Sequence, residues 1–392
     1  MANVFQIPRY VISGENALSS SMDQVKTYGK RAMIVTDKTT IDLGYVKKLT
    51  DELDKIGISY FIDSDINGEP NHKMIDAGVK MFKDEKGDFL MAFGGGSPID
   101  AMKAIAAVSA NGGSITEYIG KVLPNELPPM CAIPTTAGTG SEVTKFTIIA
   151  NADTNVKMLV ANPKLIVSCA ILDSEFTLSL PPSVTAATGV DAFTHALEAY
   201  TSVKANTMSE LFAVSAIRRI YGNLHEAYVN GSNKTARREM LLGAYEAGVS
   251  FTNASVTIVH GMSRPIGALF HVPHGLSNAM LLKVCLNYLK SGVYDRLCEL
   301  AKVIGVYKEG MTVEAGAEAF VTATNALVAS LNIKTPLEYG IKKEDFFKYI
   351  PKMSEDGMAS GSPSNTRRTP TKEILMDLYT ELWNDSEKKA KG

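Results

Sequence analysis

Cysteine is scarce in this chain. Four thiols in 392 residues, Cys131, Cys169, Cys285 and Cys298, are too few and too scattered for a disulfide framework. None falls in a CxxC pair, which removes a cysteine-based zinc ribbon. No run reaches the ~18 apolar residues of a membrane span. The first residues show no cationic segment leading into an apolar one, so no signal peptide is expected. Neither charge sign dominates: 40 Lys and Arg against 42 Asp and Glu leave a net charge of −2. Nothing in that balance draws nucleic acid or an anionic membrane. The usual G-x-G-x-x-G dinucleotide fingerprint is also missing. A reducing, cytoplasmic location is the expectation.

What is present is an ordinary globular composition, 45% apolar and 21% charged. The length exceeds the ~250–300 residues that one core serves, so two domains are expected. Up to about residue 182, short β-branched runs alternate with amphipathic stretches. Strands are expected at 31–36, 60–62, 89–93, 131–134 and 166–172, with helices over 40–55 and 72–82. Alternation of this kind implies a parallel sheet covered by helices. A hairpin is expected from 146–150 and 157–160, joined through Asn151-Ala152-Asp153-Thr154-Asn155. After Leu180-Pro181-Pro182 the strand signals stop. Helices are expected over 183–200, capped by Ser183, and over 209–221, 234–248, 277–290, 313–331 and 372–383. The Ser-, Gly- and Pro-rich stretch 354–370 reads as a loop, and 388–392 as a frayed tail. The division is therefore an α/β domain, 1–182, and an all-helical domain, 183–392.

Two turns in the first domain invite a ligand. The strand ending at Phe93 runs into Gly94-Gly95-Gly96-Ser97-Pro98 and then a helix. Three glycines let the backbone approach closely, Ser97 is placed to cap the helix, and the positive helix end favours phosphate. Pro134-Thr135-Thr136-Ala137-Gly138-Thr139-Gly140-Ser141-Glu142 places hydroxyls and glycines after another strand, where open α/β sheets bind ligands. Asp37 ends a strand, and by spacing alone it reads as the acid of a turn.

Six histidines are present, three of them within fifteen residues: His260, His271 and His274. A fourth, His195, stands four after Asp191, on one helical face. One carboxylate and three imidazoles suit Zn²⁺ or Fe²⁺ rather than copper(I). The isolated His72 and His225 read as surface residues.

Taken together, the segments 94–100, 133–144, 189–200, 259–262 and 274–279 resemble the iron-containing (group III) alcohol dehydrogenase family along nearly the whole chain. That resemblance implies a Rossmann-like dinucleotide-binding domain followed by a helical domain, in a dehydroquinate synthase-like architecture. It implies NAD(P) in a cleft, with a divalent metal facing the nicotinamide. Asp191, His195, His260 and His274 would hold the metal. Gly94, Gly95, Gly96, Ser97 and Asp100 would hold the pyrophosphate region. Thr135, Thr136, Thr144 and Lys157 would contact the rest of the cofactor. Asp37 would meet the adenosine ribose and, by repelling a 2′-phosphate, favour NAD over NADP, with Lys38 softening the effect. The activity implied is reversible oxidation of a small primary alcohol by NAD⁺, in a homodimer or larger homo-oligomer.

Two departures stand out. Where the family often carries a histidine four residues after the third ligand, this chain has Arg264, and His271 is the remaining candidate for proton relay. Lys283 replaces a common proline. A fixed guanidinium beside the metal would suit a short aldehyde with an anionic end, such as sulfoacetaldehyde or succinic semialdehyde; a simple alkanol or diol is the alternative. Glycerol dehydrogenase and dehydroquinate synthase activities share the fold, and a metal-dependent hydrolase or a non-enzymic scaffold are readings from other classes.

Overall fold

The computed structural model describes residues 3–153 and 156–391. Two compact units emerge: Gln6–Ser179, and Leu180 onward. Phe5 belongs with the second, stacking on Phe212.

The first unit is built on six parallel strands. They are β1 (Tyr10–Ser13), β2 (Arg31–Thr36), β3 (Ser59–Asp63), β4 (Phe89–Gly94), β5 (Met130–Pro134) and β8 (Cys169–Leu172), ordered β1-β8-β5-β4-β2-β3. β4 and β5 are buried at every position, as strands covered on both faces must be. Ile34, Phe89, Met91, Phe93, Cys131, Ile133 and Ile171 form the core on one side, with Leu49 and Leu53 packed against them. A separate antiparallel pair, β6 (Phe146–Asn151) and β7 (Val156–Ala161), forms the expected hairpin. Of its connecting residues, Thr154 and Asn155 lie outside the described ones.

Several expectations need correction. β1 had no sequence signal: four residues at a sheet edge are too few for a pattern. The helix expected over 40–55 is two, Lys38–Asp42 and Tyr45–Lys55, broken at Gly44 with φ 73. The last strand begins at Cys169, not at 166. Ser97 does not cap the Gly96–Asn111 helix; Gly95 occupies that position, with no side-chain cap. His72 is not a surface residue. It is 9% exposed, and its Nδ1 accepts the Ala152 amide. His225 is exposed as expected.

In the second unit the described residues contain no strand, only helices and one isolated bridge between Ser202 and Thr366. The helix Pro182–Thr201 begins after Pro181, so Ser183 lies inside the first turn and is not its cap. Four helices were not foreseen: Ile258–Phe270, Tyr294–Val303, the single turn Pro336–Tyr339, and Lys343–Ala359. The first contains Pro265 and the last Pro351, and internal prolines argue against helix in a sequence. The stretch 354–370 is therefore not all loop, since it starts inside a helix and holds a 3₁₀ turn at Pro363–Asn365. Nor are 388–390 of the tail frayed: the last helix continues to Ala390, and Lys389 reaches the Ile333 carbonyl and Glu338, while Gly392 lies outside the described residues. No described helix is long and apolar enough to cross a membrane.

Candidate active site

In the first unit, three neighbouring strands end at the residues singled out from sequence. β2 leads to Asp37, β4 to Gly94 and β5 to Thr135. Side-by-side register does this: Thr36 pairs with Phe93, and Gly94 with Pro134. The Thr135 amide donates to the Gly94 carbonyl, and Thr36 Oγ1 to the Phe93 carbonyl. The glycine turn lies against the hydroxyl-rich loop. A Cβ at Gly96 would come within 3.0 Å of Thr139 and 3.3 Å of Ser141, and one at Gly94 within 3.0 Å of Asp37 Oδ2. Asp37 caps the Lys38–Asp42 helix, its Oδ1 accepting from the Thr40 amide and hydroxyl. Thr136 Oγ1 is buried with no partner among the described residues. A sixteen-residue helix with no side-chain cap thus starts beside an unsatisfied hydroxyl, a fitting seat for an anion.

The other candidates of this unit are each tied to neighbouring groups of the protein. Asp100 Oδ2 accepts the Ile148 amide, tying the helix to the hairpin. Burial lifts its carboxyl to about 6, against the pull of Lys103. Thr144 is buried and its hydroxyl accepts from Lys103. Lys157 pairs with Glu69 at 2.8 Å on the hairpin. Lys103 itself escaped notice in the sequence. Fully buried, it donates to the Thr144 carbonyl and hydroxyl and to the Phe146 carbonyl. Burial lowers it to about 8, although Asp100 and Glu142 oppose this, and burial lifts Glu142 to about 7.

In the second unit Asp191, His195, His260 and His274 converge, each offering a ligand atom within 4.8 Å of the others. Asp191 and His195 share one face of Pro182–Thr201. His260 comes from Ile258–Phe270, and His274 opens the helix His274–Leu289. Gly275 permits that helix to approach, since a Cβ there would lie 2.9 Å from the Ala187 carbonyl oxygen. Asp191 Oδ1 is 3.6 Å from His260 Nε2 and 3.9 Å from Nε2 of both His195 and His274. Burial pushes the Asp191 carboxyl up, but the surrounding imidazoles, His195 foremost, hold it well below the usual carboxylate range. Burial pushes His195 down to about 3, so its ring is neutral despite Asp191.

Two further side chains complete the cluster, and neither was singled out from sequence. Glu198 is fully buried and accepts from Thr257 Oγ1 at 2.7 Å, from the Val259 amide at 2.6 Å, and at Oε2 from His260 Nδ1. Holding the proton on Nδ1 leaves the Nε2 lone pair facing Asp191. Asn278 Nδ2 lies 2.6 Å from Asp191 Oδ1, 3.0 Å from His260 Nε2 and 3.3 Å from His274 Nε2. The spacing carried a signal: 191, 195 and 198 fall on one helical face, as do 274 and 278.

Three observations test whether these residues fit a divalent cation. The donor set is one carboxylate and three imidazoles, suited to Fe²⁺ or Zn²⁺. Two of the donors are in ligating form, an ionised Asp191 and a neutral His195, and the Glu198 carboxylate engages His260 at Nδ1, away from the cluster. The positively polarised amide head of Asn278 is drawn to three of the same atoms. The residues fit.

Arg264 follows His260 by one turn, half-buried, its Nη1 donating to Ser362 Oγ at 3.1 Å. His271 is not part of the cluster. It ends the same helix, exposed, with φ 53, and its carbonyl accepts the Tyr339 hydroxyl.

Comparison with known proteins agrees with this geometry. The model of the iron-containing alcohol dehydrogenases matches residues 8–174, and that of the C-terminal part of the Fe-containing alcohol dehydrogenase family matches 185–383. Lactaldehyde reductase of Escherichia coli (strain K12) is 35% identical over 98% of this chain and 100% of its own length. The 1,3-propanediol dehydrogenase of Citrobacter freundii is 35% identical over 94% and 96%. Among solved structures, a 1,3-propanediol oxidoreductase matches with TM-score 0.94 and 31% identity over 97% of this chain and 100% of its own. A sulfoacetaldehyde reductase from Bifidobacterium kashiwanohense, in complex with NAD⁺, matches with TM-score 0.87 and 26% identity over 97% and 99%. With a Rossmann-like unit, a helical unit and this coverage of both, the chain belongs to the iron-containing (group III) alcohol dehydrogenase family, and is an oxidoreductase of the alcohol dehydrogenase type.

Proposed function

We propose that the chain transfers hydride reversibly between NAD(H) and a small primary alcohol or its aldehyde, residues 1–182 binding the dinucleotide and residues 183–392 a divalent metal. The observation that carries this reading is the convergence of Asp191, His195, His260 and His274. Held by those four side chains, Fe²⁺ or Zn²⁺ supplies Lewis acidity toward an alcohol or carbonyl oxygen. Glu198 orients the His260 ring, and Asn278 steadies the Asp191 carboxylate. Gly94, Gly95, Gly96 and Ser97 offer backbone N–H groups to a pyrophosphate at the uncapped helix start, and Thr135 and Thr136 flank it. Asp100 keeps that helix aligned with the hairpin that carries Lys157. Asp37 Oδ2, beside Gly94, accepts from a ribose hydroxyl and repels a 2′-phosphate. His271, exposed at its helix end, exchanges the alcohol proton with water. Four buried free cysteines support a reducing, cytoplasmic location, and the open edge of β1 supports a homo-oligomer.

Enhancement of NADH fluorescence on binding, then NADH and NADPH absorbance against a panel of aldehydes, tests the reading. NADH is expected to be preferred in kcat/KM, and Asp37→Gly to shift the ratio toward NADPH. Equal or better use of NADPH by the wild type removes the role of Asp37. A protein that binds neither nucleotide is no dehydrogenase, and a metal-dependent hydrolase takes its place.

A further inference from the structure

Five arginines of the described chain are not exposed: Arg31, Arg219, Arg237, Arg264 and Arg296. Four of them are satisfied by the protein. Arg31 bonds the Glu85 carbonyl and carboxylate. Arg219 is shared between Glu239 and Glu246. Arg237 reaches Gly231, Leu180 and Thr185. Arg296 joins Glu210 and the Tyr200 carbonyl. Arg264 makes one hydrogen bond, from Nη1 to the neutral Ser362 hydroxyl, and no ion pair among the described residues.

A guanidinium drawn out of water without an anion is unfavourable, and it stays charged. Burial acts against the charged form of Arg264, and Glu198 is the carboxylate that opposes this. Glu198, however, is already occupied by Thr257, Val259 and His260. Arg264 also stands four residues after His260 on one helix, hence on the same side as a member of the cluster. The remaining N–H groups of its fork match the two oxygens of a carboxylate or sulfonate.

We propose that Arg264 receives the anionic end of the substrate, so that this enzyme acts on short aldehydes, or the matching alcohols, bearing a carboxylate or sulfonate away from the reacting carbon. This rests on the alcohol dehydrogenase reading above. Arg264 is then a specificity residue: it pairs with the far end while the cluster faces the reacting oxygen, and Ser362 keeps the fork from turning.

Steady-state NADH oxidation by the metal-loaded enzyme tests this with propanal, succinic semialdehyde and sulfoacetaldehyde. Wild type should favour an anionic aldehyde over propanal in kcat/KM. In Arg264→Ala that preference should fall about ten- to a hundredfold, the value of a charge-assisted hydrogen bond. Inhibition by the unreactive propane-1-sulfonate should weaken by the same factor. Arg264→Lys keeps the charge but not the fork, and should lie between. A preference ratio, measured within one preparation, does not depend on the fraction of protein correctly folded. Should Arg264→Ala not fold, the lysine variant and the wild-type ratio still decide. Propanal used as well as both anionic aldehydes overturns the inference and leaves the dehydrogenase intact. So does a ratio unchanged in the variants. NADH oxidation with none of the aldehydes strikes the underlying reading instead.

Discussion

The two units hold their candidate ligands by opposite means. At the ends of β2, β4 and β5 the first unit presents main chain: three glycines, an uncapped helix and one unsatisfied hydroxyl. In the second, the ligands are side chains from three helices, locked by Glu198 and Asn278. A backbone site is made by the absence of side chains and is harmed by adding atoms. A side-chain site is harmed by removing them.

The sharpest break of this contrast is His260→Ala, which removes one of the four proposed ligands. Metal content by elemental analysis should fall to near zero and aldehyde reduction with it; a variant with full metal and normal turnover would refute the assignment. Next is Glu198→Gln, which takes away an acceptor and leaves the His260 tautomer unfixed. Metal affinity by chelator competition should weaken about ten- to a hundredfold, the usual cost of losing such a partner. Unchanged affinity would reduce Glu198 to packing. The smallest pair lies in the first unit. Gly96→Val pushes atoms against Thr139 and Ser141, and NADH affinity should drop roughly tenfold, about the lower cost of overpacking. Ser97→Ala in the same turn should change it only severalfold, since at most one hydrogen bond is lost. If the serine variant proves the worse of the two, the turn is not a backbone site.

The same contrast explains what could be read before the structure. Parallel strands buried on both faces are continuous apolar runs, so β2, β4 and β5 were visible almost to the residue. Edge strand β1 has four residues and alternating exposure, too little to stand out. The helices with Pro265 and Pro351 were hidden because packing overrides the local cost of an internal proline. Of the candidate metal cluster, the four proposed ligands carry recognisable chemistry. Glu198 and Asn278 look like any polar helix residues until burial is known. His72, judged by its isolation in sequence, is buried because the hairpin folds over it and the Ala152 amide needs an acceptor. Lys103 was passed over for the same reason: a lysine reads as solvated until its three acceptors are seen.

Arg264 has a consequence for how such an enzyme changes over generations. The other sheltered arginines are each hydrogen-bonded to two or more acceptor groups, a carboxylate or main-chain carbonyl among them, and exchanging any of them would strand those groups. Arg264 is moored by a single hydroxyl. Its replacement therefore disturbs little of the fold and relieves an uncompensated charge, so drift toward greater stability runs against keeping it. On the role proposed for Arg264, position 264 is thus a place where substrate range can be rewritten by one codon without repairing the scaffold, and where an arginine is expected to persist only while an anionic substrate makes it worth keeping.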